Sequence, residues 1–292
     1  MAQEFQRVAI QTSTRCLGIL GSGIGHSLSP LIHNYSAQKL AMDCVYLAFD
    51  SHEKKFPDRS FFESMWDMGA LGFNVTVPFK EQAAKMFPGS GLGSVNTLYR
   101  GSEGWQSTST DAEGFLMGLA QTQINLDAIS GIVILGNGGA ALALYEYFLR
   151  VTELPIVVMR RTKERDAAWK KPKDRVEFVV LEESTLALVL KRYQDALLIQ
   201  TTSAPLQGDR LDALVPALKC FQGAFVDLVY GKTSALLDTA QIMGLPVQDG
   251  LPMLIGQALL GQRLWWGQSA SFGDIEDLLR KYLLDRGAKR PS

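Results

Sequence analysis

Short apolar runs that end at glycine or proline alternate along this chain with longer stretches of helical periodicity. Cys16–Gly21, Cys44–Phe49 and Leu71–Val77 read as strands, the last stopped by Pro78. Between them, Ser29-Pro30 predicts a helix start, with Ser29 as N-cap and Pro30 in the first helical position. Ser60–Met68 predicts an amphipathic helix, because Phe61, Phe62, Met65 and Met68 recur near 3.6-residue spacing. This β–α alternation predicts an α/β first region with a parallel or mixed sheet.

A second series begins near Ile129. Gly131–Gly136 predicts a buried strand, Asn137-Gly138-Gly139 a tight turn and Ala140–Arg150 a helix. Leu154–Met159, Val176–Leu181, Ala196–Thr201 and Ala224–Val229 are further expected strands. Helices are expected around Ser184–Tyr193 and Thr233–Met243. Strand, glycine turn, helix and strand in that order open a doubly wound nucleotide domain. The late stretches Leu251–Gly267 and Asp274–Leu284 also read as helices. Their apolar side, including Leu254, Leu259, Leu260 and Trp265, needs a partner, and the first region is the expected one.

Composition narrows the function classes. The chain has 292 residues, 47 % of them hydrophobic and 20 % charged, which suits a chain with a full core. With 29 Lys+Arg against 30 Asp+Glu there is no basic field for nucleic acid or for a membrane surface. No apolar run is long enough for a bilayer, and Met1–Arg15 lacks an apolar signal core. Cys16, Cys44 and Cys220 have no metal-ligand spacing, and only three histidines occur. A cytoplasmic protein with no structural disulfide and no metal is expected.

Candidate chemistry lies in both regions. Gly136-Asn137-Gly138-Gly139-Ala140-Ala141 fits G-x-G-x-x-A after a strand and before a helix, the setting in which backbone N–H groups meet a dinucleotide pyrophosphate. At the next strand end, Arg160, Arg161, Thr162 and Arg165 stand where an NAD-binding chain would carry Asp or Glu. Guanidinium groups there suit the 2′-phosphate of NADP, and the fingerprint upstream favours this over a solvated basic turn. In the first region, Ser27 and Ser29 flank a helix start, and Asn74, Thr76 and Lys80 gather amide, hydroxyl and ammonium groups near a strand end. Asn96 and Asp111 add an amide and a carboxylate; singly, each reads as a turn residue.

Taken in order, these segments resemble the shikimate dehydrogenase family. H-S-x-S-P-x-I-H-N appears as His26–Asn34, N-V-T-x-P-x-K as Asn74–Lys80, G-[AS]-V-N-T as Gly93–Thr97 and T-D as Thr110-Asp111. G-x-G-G-A appears as Gly136–Ala140, and Arg160–Arg165 approximates N-R-T-x-x-R. Val226–Tyr230 and Asp249–Gln257 match the closing motifs. The resemblance implies an NADP-dependent oxidoreductase that reversibly reduces 3-dehydroshikimate to shikimate in aromatic amino-acid biosynthesis. It implies an N-terminal α/β substrate domain, a Rossmann-type NADP domain, and C-terminal helices packing back on the first; residues 1–116 with 252–292 and residues 117–251 are the expected divisions. It implies a Lys80–Asp111 acid/base pair, and substrate contacts from Ser27, Ser29, Asn74, Thr76, Asn96, Tyr230 and Gln257. It implies cofactor contacts from Gly136, Asn137, Gly138, Gly139, Ala140, Arg160, Arg161, Thr162, Arg165, Thr202, Ser203, Gly250 and Met253. A small-molecule substrate, no nucleic-acid or membrane partner, and a monomer or homodimer complete the expectation.

The chain departs from the family pattern at Gly23, at Ser109 and Ala112 around Thr-Asp, in the loop Gln200–Pro205, at Gly231-Lys232, and in a shortened Lys80–Asn96 stretch. Three alternatives stay open at this level: a paralogue acting on quinate or another polyhydroxy cyclohexane acid, a binding homologue without catalysis, and one half of a larger aromatic-pathway enzyme. Lys80 and Asp111 weigh against the second, because binding alone needs no acid/base pair.

Overall fold

The computed structural model describes residues 10–122, 124–161, 169 and 174–288. Its elements in chain order begin with β1 (Arg15–Gly21), α1 (Ser29–Lys39), β2 (Cys44–Asp50), α2 (Arg59–Asp67), β3 (Gly72–Val75) and α3 (Lys80–Met86). Next come β4 (Thr97–Arg100), β5 (Trp105–Thr108), α4 (Asp111–Leu119), β6 (Ile132–Leu135), α5 (Gly139–Val151), β7 (Ile156–Arg160) and β8 (Val176–Val180). The remainder is α6 (Glu183–Arg192), β9 (Leu197–Gln200), β10 (Ala224–Asp227), α7 (Ala235–Ile242), β11 (Val247–Gln248), α8 (Leu251–Trp266) and α9 (Phe272–Ala288). Two units result: Met1–Gly114 with Ile255–Ser292, and Phe115–Leu254.

The first unit holds a mixed sheet in the order β2-β1-β3-β4-β5. β1 pairs in parallel with β2 and β3, whereas β3, β4 and β5 run antiparallel to one another. The β4–β5 hairpin is an addition to the expected elements. Each strand has only four residues, too short for its alternation to stand out, and the glycines that bound its turn read as loop. Its register sets Asn74 opposite Thr97, and Thr97 opposite Thr108. Polar side chains of three strands therefore collect at one end of the sheet.

Two local expectations are corrected here. Ser29 is the first helical residue of α1 rather than its cap, and Pro30 follows it. β3 ends at Val75, two residues before the expected end. Thr76 N–H bonds Leu20 O at 2.9 Å and Phe79 N–H bonds Thr76 O at 2.9 Å, so the chain is already turning ahead of Pro78.

The core beneath this sheet is rich in aromatic residues. Phe62, Phe73 and Phe79 are at most 1 % exposed, and such burial contributes roughly 1.5–3 kcal/mol per side chain. α8 completes the unit. Trp265 Nε1 donates to Leu98 O at 3.0 Å, and its indole fills the space where a side chain at Gly72 would lie. Gly256 of α8 meets Gly114 of α4 so closely that a Cβ on Gly256 would sit 2.4 Å from Gly114 O.

The second unit is a parallel sheet in the order β11-β10-β9-β6-β7-β8. Counted from β6, this is the dinucleotide-binding order 3-2-1-4-5-6 read from the other edge. All residues of β6, β7, β9 and β10 are buried, as expected for strands covered on both faces. Among the described residues no helix is long and apolar enough to cross a membrane.

Candidate active site

Lys80 opens α3 and Asp111 opens α4, and their side chains meet with Lys80 Nζ 2.5 Å from Asp111 Oδ2. A carboxylate in the first turn of a helix also complements the helix dipole. The pair is 12 % and 5 % exposed, so water and salt screen it far less than a surface pair. Asn96 Nδ2 reaches the other oxygen, Asp111 Oδ1, at 2.8 Å. The two carboxylate oxygens thus have separate donors.

Asn96 is itself held by its neighbours. Its Oδ1 accepts from Thr110 N–H at 2.9 Å and from the Thr97 hydroxyl at 2.9 Å. Asn74 Nδ2 donates to Asn96 O and to Thr97 Oγ1, both at 3.2 Å. Gln257 Oε1 lies 3.2 Å from Asn96 Nδ2, and Gln257 O accepts from the Thr110 hydroxyl at 3.1 Å. The Gly114–Gly256 contact allows this approach, since it brings α8 onto the start of α4. Five of the expected residues, Lys80, Asp111, Asn74, Asn96 and Gln257, therefore form one connected cluster.

Ser27 and Ser29 sit at the start of α1, with Ser27 Oγ accepting from Ser29 N–H at 3.3 Å. Ser29 is buried. Thr76 is half-buried in the turn after β3. Tyr230 belongs to the second unit, beyond β10. Sequence reasoning missed Tyr46, which a strand reading treats simply as core, and the Thr97 hydroxyl, which belongs to the unanticipated strand β4. It also gave no role to Ser109, whose buried hydroxyl has no hydrogen-bond partner among the described residues.

In the second unit the glycine turn has geometry that side chains would spoil. Gly136 has φ +119°, and a Cβ there would lie 2.5 Å from Thr201 Oγ1. Gly138 precedes α5, where a Cβ would meet nothing within 4 Å, and no side chain caps the helix. Asn137, Gly139 and Ala140 complete this turn and the first residues of α5. Open space at an uncapped thirteen-residue helix fits a dinucleotide pyrophosphate.

Positive charge ends β7. Arg160 is 8 % exposed with its guanidinium 4.9 Å from the Phe178 ring centre, while Arg161 is exposed. Thr162 and Arg165 lie outside the described residues. Thr202 and Ser203 follow β9. There the Gln200 amide bonds Thr202 O at 3.0 Å and Asp227 Oδ1 at 3.3 Å. Burial raises the Asp227 carboxyl above its ordinary range. A Cβ on Gly250 would lie 2.1 Å from Leu228 O, and Met253 is buried on α8.

A family model described as "Shikimate dehydrogenase substrate binding domain" matches residues 19–98. The "Shikimate dehydrogenase (NADP(+))" of Gloeothece citriformis is 32 % identical, over 94 % of this chain and 98 % of that protein. The crystal structure of shikimate dehydrogenase from Aquifex aeolicus superimposes with TM-score 0.78 at 26 % identity, covering 93 % of this chain and all of the other. Shikimate 5-dehydrogenase from Thermus thermophilus, in complex with NADP(H) and shikimate, gives TM-score 0.74 at 28 % identity, covering 92 % and 99 %.

Proposed function

The chain belongs to the shikimate dehydrogenase family, and on that premise we propose that it is an NADP-dependent oxidoreductase interconverting 3-dehydroshikimate and shikimate in aromatic amino-acid biosynthesis. The observation that carries the reading is the secluded Lys80–Asp111 pair with Asn96 on the second carboxylate oxygen. When bound, the nicotinamide cofactor supplies or accepts the hydride.

This chain's residues handle the proton and the charge. As the ring ketone is reduced, negative charge develops on its oxygen, and the Lys80 ammonium both stabilises that charge and delivers a proton from Nζ. In the oxidative direction Nζ takes the hydroxyl proton. Asp111 orients the ammonium and, with Asn74, Thr76, Asn96 and Gln257, binds ring hydroxyls. Ser27 and Ser29 hold the substrate carboxylate through neutral hydroxyl donors, with Tyr230 as a further substrate contact. The uncapped start of α5, from Gly136 to Ala140, receives the pyrophosphate. Arg161, with Thr162 and Arg165, takes the 2′-phosphate, and Arg160 adds charge at the same strand end. Thr202, Ser203, Gly250 and Met253 line the rest of the cofactor site.

A cytoplasmic location suits the free thiols of Cys16, Cys44 and Cys220, and sedimentation separates monomer from homodimer. Cofactor reduction measured with shikimate and with quinate, each against NADP and NAD, tests the function. Shikimate with NADP should be the best pair, with NADP favoured over NAD by about 10²–10³ through charge-assisted contacts partly screened by solvent. Faster turnover of quinate would assign the paralogue, and no turnover of either acid would overturn the proposal.

A further inference from the structure

Behind the hydroxyl-binding cluster lies a second layer of buried polar groups. Tyr46 on β2 is 2 % exposed, and its hydroxyl donates to Asn74 Oδ1 at 2.6 Å. A phenol has one proton to give, so Asn74 Oδ1 becomes the accepting end and Nδ2 turns to Asn96 O and Thr97 Oγ1. Thr97 Oγ1 accepts there and gives its own proton to Asn96 Oδ1 at 2.9 Å. Asn96 Nδ2 is then left facing Asp111 Oδ1 at 2.8 Å, and Lys80 takes Asp111 Oδ2. Two backbone groups of fixed role agree with this series: Asn96 O can only accept from Asn74 Nδ2, and Thr110 N–H can only donate to Asn96 Oδ1, so the Tyr46 hydroxyl adds the one side-chain donor that satisfies Asn74 Oδ1.

Tyr46 is held from behind. The His33 ring stacks on it, 4.4 Å between centroids and 21° between planes, and Trp265 lies 6.1 Å away. Ala270 N–H donates to Gln262 Oε1 at 3.0 Å, which makes Gln262 Nε2 the donor to Ser36 Oγ at 2.9 Å and toward His33 Nδ1 at 3.4 Å. His33 Nδ1 is therefore the accepting nitrogen, and the proton of the neutral ring sits on Nε2. Burial pushes His33 down to about 3, with the Asn74 side chain partly offsetting it, so the ring carries no charge near neutral pH. Burial lifts the Tyr46 hydroxyl well above its ordinary range, with the Ser29 hydroxyl partly offsetting it. The phenol keeps its proton. It pairs with Asn74, a proposed ring-hydroxyl contact.

We propose that Tyr46 is a positioning residue, its buried hydroxyl anchoring the Asn74 amide in place and thereby steadying, through Thr97 and Asn96, the Asp111 carboxylate that holds Lys80. His33 is the neutral backing that keeps the Tyr46 ring in place. The inference rests on the reading of Asn74, Asn96 and Asp111 as substrate-site groups.

Tyr46→Phe keeps the ring and its stack on His33 and removes the donor. The chain has five asparagines, Asn34, Asn74, Asn96, Asn125 and Asn137, so selective ¹⁵N labelling reads their side-chain amides directly. In Tyr46→Phe the Asn74 and Asn96 amide signals should move, while those of Asn125 and Asn137 stay. With shikimate, kcat should fall about 10- to 100-fold, the scale of a small misplacement of reacting groups, with KM for NADP and melting temperature near wild type. Tyr46→Phe combined with Asn74→Ala should be no slower than Asn74→Ala alone. Thr97→Val cuts the same series without touching the Tyr46 ring and should reproduce the kcat loss. Unmoved Asn96 signals, losses that multiply in the double variant, or full activity in Thr97→Val would overturn the proposal. If wild type fails to oxidise shikimate, the functional reading falls, and the amide signals still decide the role of Tyr46.

Discussion

The two units prepare for their ligands by different means. In the first, side chains lock one another: Asn74, Asn96, Asp111 and Lys80 occupy fixed positions because each satisfies its neighbour. In the second, the main chain does the work through the positive φ of Gly136, the open space at Gly138 and the uncapped start of α5. A site made of side chains is specific and fails when one functional group is lost. A site made of backbone tolerates most side-chain changes and fails when a Cβ is added where none fits.

That contrast can be broken first at the proposed acid/base pair, Lys80 and Asp111. Lys80→Met should leave a folded protein whose kcat is lower by about 10²–10⁴, the usual range for a lost general acid or base. Asp111→Asn should also be severely slow. Because the two act as a unit, the double variant should lose much less than the product of the single losses. Steady-state kinetics on variants with intact circular dichroism checks both; a near-normal kcat in Lys80→Met would remove it from the mechanism. In the second unit the matching change is Gly136→Val, which forces a Cβ onto Thr201 at a strained φ. It should cost about 1–3 kcal/mol in urea unfolding and raise KM for NADP about tenfold or more, while shikimate binding by itself, measured calorimetrically, is spared.

Ser29→Ala sharpens the comparison within the first unit. Loss of a hydrogen bond to a charged group is worth roughly 1.5–3 kcal/mol, so KM for shikimate should rise about 10- to 100-fold with KM for NADP unmoved. Equal rises in both would make the serine a structural group. The smallest effect concerns stability against acid. The unfolded His33 imidazole titrates near 6.5 and the folded one near 3, so the unfolded state binds more protons between those values. Its contribution is fully present above pH 6.5 and declines as pH falls, by about 2 kcal/mol at pH 5. Denaturant titrations of wild type and His33→Phe should show a flatter pH dependence in the variant; parallel curves would contradict the burial of a neutral ring.

The same contrast governs what the sequence disclosed. Gly136–Ala140 is contiguous, and its strand-turn-helix setting is visible in a short window, so the nucleotide fold and its turn could be read directly. The first unit's cluster joins Asn96 to Gln257 across 161 residues and Lys80 to Asp111 across 31, distances over which local pattern says nothing. Only the family resemblance brought those residues together in advance. Tyr46 escaped both routes, since its place in CVYLAF has the look of ordinary strand core. The β4–β5 hairpin escaped because its strands are four residues long, and Ser29 misled because the helix begins one residue earlier than its hydroxyl suggests, with Leu28 in the cap position and no side chain capping it.

The return of α8 and α9 to the first unit also sets a timetable for biosynthesis. The second unit is one unbroken stretch, Phe115–Leu254, whereas the first lacks Gln257, Gln262 and Trp265 until the chain has passed beyond them. At about 5–20 residues per second, a ribosome needs roughly 10–30 s to make the intervening segment. Throughout that interval the β1–β5 sheet has emerged while the helix that supplies its indole and its glutamines has not. The unit begun first is therefore finished last, and its unsealed apolar surface is where a nascent chain of this protein would need a chaperone most.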